Sequence, residues 1–453
     1  SNLPNMGAPG PNNQSLKLAT YPAVIYGAVV ADKWNRRYIA DTGNNRLVRA
    51  ASGSRIYGLV LGQKTMTASD TGQCANSQAD RKDLLCQPFG LAINDDGTEL
   101  YALDTLSHSG MARIVVYEVD PVTGDFKSGQ LAARTIRPFA PAPDFWFSAM
   151  GMQWIKGRVK AGPCRDADLM VNEFWPGRRS VCLDKFGKYL GVVGSNSINE
   201  RGGANWCDTH SWCPACSYKF RIHAPSGNPA VDKNGILTLA EEEQNHVFRI
   251  DLNTYVPNAA GCPPEPIAAF GTGAQRSPDR IAGEPTGAII DEARDTFIAR
   301  DGSGGLMSWT GYRDLPIGSA STVYSPDTRV QSRGFFEIRG ALLFTPDTEW
   351  QLSILDLPLT PTSQARRVQL RWDDTGVAIP YYTTGMTCAK DPLIGCWVNG
   401  GTRMLHIKDP QNASTLTMRV DYVAGQEGKG LTACNRGKPG PDRFGFCGVV
   451  QIF

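Results

Sequence analysis

Apolar residues in this chain come in short runs, alternating with polar positions or standing together, and each run is bounded by Gly, Pro, Asn, Asp or Ser. A period of two among β-branched and aromatic residues, closed by turn formers, predicts strands joined by tight turns. No window of ten or more residues combines a 3.6-residue period with freedom from Gly and Pro, so no helix is expected.

The strands repeat. Residues 32–50, DKWNRRYIADTGNNRLVRA, align with residues 232–250, DKNGILTLAEEEQNHVFRI, at an offset of 200. Asp32 lies over Asp232, Lys33 over Lys233, Ala40 over Ala240, Asn45 over Asn245 and Arg49 over Arg249. Each stretch is an apolar strand, an acidic residue, a polar turn and a second apolar strand. Weaker forms follow: ELYALDT into ARIVVYEVD, DLMVNEF into RRSVCLD, DTFIARDGSGG into LMSWTGY, ALLFTPDTE into WQLSILDL and IGCWVNGG into TRMLHIKD. The turns fall near 41, 104, 173, 241, 301, 347 and 399, giving seven hairpins spaced by 46 to 69 residues.

Most hairpins have an apolar strand before them, as in PFGLAINDD and PTGAIIDEA. Several have one after, as in IYGLVLG, YLGVVG, IAAFG and RRVQLRW. Four antiparallel strands per unit, repeated around a ring, describe an all-β fold, a β-propeller. Seven blades are expected, with six as the alternative count, because radial packing buries both faces of each sheet. The propeller is expected over residues 20–425, preceded by an extended arm, 1–19, and followed by a disulfide-closed loop and terminal strand, 426–453.

ADTGNNRLVR (40–49) resembles the signature of NHL-repeat propellers, an apolar strand running into Asp-Thr-x-Asn-Asn-Arg and a second apolar strand. GLVLGQ (58–63) followed by QPFGLAIN (87–94) is similar to the strand junction of secreted bacterial NHL proteins. The resemblance covers about residues 20–310, and the last third loses the Asn-Arg turn. NHL repeats occur in scaffolds, sensors and some lyases, so the resemblance implies a fold before a function.

A polar cluster that returns at a fixed offset reads as architecture. Asp41 is expected to cap the turn, Asn44 and Asn45 to tolerate a left-handed backbone and Arg46 to reach carbonyls nearby. The competing reading is a small polar site that binds something.

Twelve cysteines, most in close pairs, change the picture. Cys74 with Cys86, Cys164 with Cys182, Cys388 with Cys396 and Cys434 with Cys447 read as disulfide staples, hence a secreted or cell-surface protein. Cys207, Cys213, Cys216 and Cys262 remain; the first three lie in CDTHSWCPAC with His210. Two more disulfides are expected there, with a zinc site as the competing reading.

No nucleophile elbow, phosphate loop or dinucleotide fingerprint appears, so no catalytic residue and no cofactor is expected. Asn172, Glu173, Glu241 and Glu243 are the candidates for a calcium site, against the reading of solvated turns. Trp206, Trp212, Tyr218 and Phe220, in the long segment 195–224, are interaction candidates, as a recognition surface or a local mini-core.

Charge adds only exclusions. Lys and Arg number 46 against 44 Asp and Glu, interspersed, so no nucleic-acid partner is expected. The longest apolar run, AVIYGAVVA, is too short for a membrane span. Ser1 opens the chain with no apolar leader, which leaves leader removal or an artificial start open. The expected function is an extracellular binding or structural module, self-assembling through its termini. The alternatives are a metal-dependent lactonase- or lyase-like enzyme with a central-channel site and a carbohydrate-binding module using loop aromatics.

Overall fold

The computed structural model describes the strands between residues 19 and 424 and most turns among them. Segments 1–18, 67–80, 105–112, 138–148, 174–178, 195–228, 255–267, 271–287, 301–304, 326–335 and 425–453, and shorter stretches, lie outside the described residues. The fold is all-β, a seven-bladed β-propeller of four-stranded antiparallel sheets. The strands of sheet 1 are Val29–Ala31, Arg37–Asp41, Arg46–Ala50 and Tyr57–Leu61. Sheet 2 has Pro88–Ile93, Glu99–Asp104, Arg113–Glu118 and Arg134–Ile136. Sheet 3 has Ala149–Trp154, Leu169–Glu173, Arg179–Leu183 and Tyr189–Gly194. Sheet 4 has Ala230–Val231, Ile236–Glu241, His246–Asp251 and Ala268–Phe270.

Sheet 5 has Ala288–Asp291, Thr296–Arg300, Leu306–Thr310 and Val323–Ser325. Sheet 6 has Glu337–Arg339, Leu342–Pro346, Leu352–Asp356 and Arg366–Arg367. Sheet 7 has Met386–Cys388, Cys396–Asn399, Met404–Ile407 and Thr417–Ala424. The second strands end at Asp41, Asp104, Glu173, Glu241, Arg300, Pro346 and Asn399, within one residue of the seven turns the sequence places. The count is therefore seven, not six. A small hairpin, Ala19–Thr20 with Ile25–Tyr26, precedes sheet 1.

The run RRVQLRW behaves differently from the single outer strand expected of it. Arg366 and Arg367 pair antiparallel with Ile354 and Ser353 of sheet 6. Gln369–Trp372 then pairs parallel with Thr417–Val420 and becomes a fifth strand of sheet 7. The segment thus straddles two sheets and covers the outer edge of the last one, an edge that would otherwise stand open to pairing. Among the described residues no sheet mixes strands from the two ends of the chain. The run FGFCGVVQIF lies outside them.

Sheets 1, 5, 6 and 7 form one compact unit and sheets 2, 3 and 4 another. In the second unit the period of two explains why whole strands are apolar. Leu169 and Val171 of sheet 3 pack on Tyr101, Leu103 and Ile114 of sheet 2. Met170, between them, joins Cys182 and Val193 against Leu237 and Leu239 of sheet 4. Both faces of sheet 3 are buried, so every residue of Leu169–Glu173 is buried. In the first unit Ile298 and Leu306 meet Leu343 and Leu355 between sheets 5 and 6. Ile354 meets Leu370 and Val398 between sheets 6 and 7.

Tight turns between first and second strands reuse one device. The Asp32 carboxylate accepts the N–H groups of Trp34 and Arg36 at 3.0 and 2.9 Å. Asp232 does the same for Asn234 and Ile236 at 2.8 and 3.0 Å, and Asn94 for Thr98 and Glu99 at 2.8 and 2.9 Å. At Asp32 and Asp232 these are Asx turns, in which a short side chain bonds the backbone two residues on; Asn94 bridges a longer turn, reaching four and five residues on. The overlay of Asp32 on Asp232 seen in sequence is the Asx turn.

Asp32 also accepts the Tyr38 hydroxyl at 3.3 Å. Burial, and then the Asp32 charge, push the Tyr38 phenol up from 10.0 to about 12. Burial pushes Tyr101 and Tyr117 up as well. A raised folded-state value favours the folded form below the unfolded value, and that contribution disappears as pH rises through the folded one. Unfolding is therefore expected between pH 10.0 and about 12, where Tyr38 must ionise. Tyrosinate absorbance followed beside circular dichroism checks it: an exposed set should ionise first, and a buried set only together with loss of structure. Ionisation of all tyrosines in one step before unfolding would contradict it.

Candidate functional site

The clearest side-chain constellation recurs where the second strand of a sheet ends and the third begins. In register, Asp41 faces Arg46, Asp104 faces Arg113, Glu173 faces Arg179 and Glu241 faces His246. The next three sheets place Arg300 opposite Leu306, Pro346 opposite Leu352 and Asn399 opposite Met404. In register, an acidic residue stands opposite a basic one in each of the first four sheets and in none of the next three.

The rung in sheet 1 is wholly buried. Arg46 Nε lies 2.5 Å from Asp41 Oδ2, with no exposure of either side chain. Arg46 also donates to the Met66 carbonyl beyond the fourth strand. Asn45, left-handed at φ 56°, offers its own carbonyl to Gln63 at 3.1 Å. In sheet 2, Arg113 Nε donates to Asp104 Oδ2 at 3.0 Å, and its other nitrogens hold the carbonyls of Arg81 and Leu84 at 2.8 and 2.6 Å. Asp104 Oδ1 accepts the Cys86 N–H at 2.7 Å. In sheet 3 Arg179 pairs with Glu173, and Asn172 Oδ1 accepts the Ser180 hydroxyl at 2.6 Å.

The rungs of sheets 1 and 2 thus tie the end of a hairpin to the connecting segment beside it. A buried charge is tolerable only when paired and hydrogen-bonded, and the planar guanidinium does both at once. Asn45 takes the left-handed backbone and Arg46 reaches a neighbouring carbonyl, as the repeat suggested; the Asp41 carboxylate, expected to cap the turn, holds the Arg46 guanidinium, and Asn44 lies outside the described residues. Glu173, a calcium candidate, faces Arg179, and Asn172 faces Ser180; Glu241 ends its strand opposite His246, and Glu243 lies outside the described residues. Among the described residues no three His, Cys, Asp or Glu side chains are grouped to hold a metal.

Sheet 5 inverts the rung. Arg300 is fully buried, donates to Thr345 Oγ1 of sheet 6 at 2.8 Å and lies 4.4 Å from the Phe336 ring centroid. Burial pushes its guanidinium down to about 9, which leaves it charged at neutral pH.

Two predicted disulfides are present, Cys164–Cys182 and Cys388–Cys396. Cys86 is also disulfide-bonded. Cys74, Cys207, Cys213, Cys216, Cys262, Cys434 and Cys447 lie outside the described residues, as do Trp206, Trp212, Tyr218 and Phe220.

The opposite ends of the sheets carry two clusters that sequence reading did not assemble. In the second unit, Glu99 accepts Tyr101 Oη and Arg134 Nη1, each at 2.6 Å, and Arg134 also reaches the Lys185 carbonyl at 3.2 Å. Burial pushes Glu99 up, but the hydrogen bonds from Arg134 and Tyr101 outweigh it and hold the carboxyl below its usual range. In the first unit His406 Nδ1 lies 2.6 Å from Asp421 Oδ1 and packs edge-on against Trp397, over which Arg37 of sheet 1 sits at 5.6 Å. His406 is a packed residue. Neither cluster has a local spacing signal, since its members come from strands separated in the chain and each cluster is completed by a residue of another sheet, Lys185 or Arg37.

No protein-family model matches the chain, and no curated protein matches it in sequence. Similar solved structures include the computationally designed Ika8 protein, 8% identical over 89% of each chain with a TM-score of 0.44. U3-55K is 8% identical over 87% of this chain and 93% of that one, TM-score 0.44. A candidate 6-phosphogluconolactonase from Bacteroides uniformis is 10% identical over 87% of this chain and 90% of that one, TM-score 0.42.

Proposed function

We propose that this chain is an extracellular, disulfide-stapled propeller of NHL type that acts as a binding or structural module, using the ends of its sheets that bear the long connections. The observation that carries the reading is the acid–arginine rung. Asp41, Asp104 and Glu173 each hold an arginine, and through the first two rungs the connecting backbone is tied to the sheet. Such rungs fix loops as contact surfaces; they do not present an ionised carboxylate to a substrate. Buried disulfides support an oxidising compartment. Self-assembly through the terminal segments completes the proposal, because strand addition is a low-cost route to polymers.

Light scattering with negative-stain imaging over a concentration series tests it. Growth into rings or filaments is expected, and it should be lost when residues 1–18 and 425–453 are removed. A monomer at every concentration, from a protein whose termini resist protease, would end the assembly part of the reading.

A further inference from the structure

Sheet 3 has a charge excess of its own. Residues 149–194 hold eight Lys or Arg against four Asp or Glu, a net of +4, while the whole chain is +2. Part of that charge gathers at the turn between Arg179–Leu183 and Tyr189–Gly194, which reads Asp184-Lys185-Phe186-Gly187-Lys188. The turn lies at the end of the sheet away from the acid–arginine rung.

The turn is held in ways that do not involve the Phe186 side chain. Asp184 Oδ1 accepts the N–H groups of Phe186 and Lys188 at 2.9 and 2.8 Å. Gly187 supplies the left-handed step at φ 92°. Any residue at 186 would satisfy this geometry, yet a phenylalanine stands there with 62% of its surface exposed. Its ring meets two cations: Lys185 Nζ at 5.2 Å from the centroid and Arg134 Cζ at 5.5 Å. Arg134 is in turn held by Glu99 at 2.6 Å and by the Lys185 carbonyl at 3.2 Å, so one cation beside the ring is fixed in place. Leu131, 51% exposed, precedes Arg134 by three residues in the same connection of sheet 2.

We infer that the Lys185–Phe186–Lys188 turn is a docking point for an acidic segment of a partner protein, one that sets an apolar side chain on the Phe186 ring and carboxylates beside the two lysines. Charge complementarity selects the acid, and the exposed ring selects the apolar side chain. A plain polyanion would use the lysines and leave the ring in water. The site stands apart from the connection-bearing ends and gives the module a second contact surface.

Fluorescence anisotropy of the full chain with a labelled random copolymer of glutamate and tyrosine tests this, beside labelled polyglutamate and heparin. Saturable binding of the copolymer is expected at low salt, weakening as salt rises, because Lys188 is exposed and Lys185 partly so. Phe186→Ser and the double variant Lys185→Glu/Lys188→Glu should each weaken it at least tenfold, and polyglutamate should bind at least tenfold more weakly than the copolymer. Circular dichroism and the wild-type Tm establish that the variants fold. Absence of saturable binding, or equal binding by wild type and Phe186→Ser, overturns the inference. Heparin or polyglutamate binding as tightly as the copolymer also overturns it, in favour of a plain polyanion site. Light scattering of Phe186→Ser should match wild type, which separates this surface from assembly through the termini.

Discussion

Replacing Arg113 by Met is expected to destabilise the protein by about 3–5 kcal/mol, the usual consequence of leaving one member of a buried pair without its partner. The side chains of Arg113 and Asp104 are 3% and 0% exposed and lie 3.0 Å apart. Met fills similar volume but donates nothing. The Asp104 carboxylate then keeps the Cys86 N–H, and the carbonyls of Arg81 and Leu84 lose the donors they have at 2.8 and 2.6 Å. The double variant Asp104→Leu/Arg113→Met should recover much of the loss, because it removes the buried charge with its partner. Urea unfolding followed by tryptophan emission measures both, and the double-mutant cycle gives their coupling. A single-variant loss below about 1 kcal/mol, the range of exposed pairs, would show that water reaches the rung.

Removing the Cys164–Cys182 bridge by paired alanine substitution is expected to cost about 3 kcal/mol, from the entropy returned to the unfolded chain by a loop of this length. The cysteines are 18 residues apart, and both sulfurs lie in the core shared by sheets 3 and 4. Cys388 and Cys396, 8 residues apart and directly opposite in neighbouring strands, close a smaller loop and should contribute somewhat less. Thermal unfolding of each variant checks the order. An unchanged Tm after loss of Cys164–Cys182 would mean that the loop is already constrained in the unfolded state.

Both effects were partly legible in the chain. The pairing of Cys164 with Cys182 follows from their position around one hairpin. Asp41 and Arg46 flank one turn, and their rung repeats as Glu173 with Arg179. Asp104 and Arg113 were harder to see as the same rung, because eight residues separate them. The carbonyls those arginines hold lie 20 to 32 residues away, in connections without a pattern of their own. Glu99, Tyr101 and Arg134 meet within sheet 2 across 35 residues of chain, and Lys185 joins them only because sheet 3 packs on sheet 2.

Alternation and turn chemistry are local, so the sequence by itself determined seven hairpins and two of the disulfides; the Asx turns at Asp32 and Asp232 came with the structure. Only the tertiary structure decided which sheet each outer strand joins. RRVQLRW reads as one strand, yet it divides at Val368 because its second half finds a parallel partner 48 residues later. A backbone edge carries no residue code for its partner, and proximity in the packed molecule chooses it. The same holds for Arg300. In sequence it is a strand end; in the fold it is a buried cation between Thr345 and Phe336, placed there by the packing of sheet 5 on sheet 6.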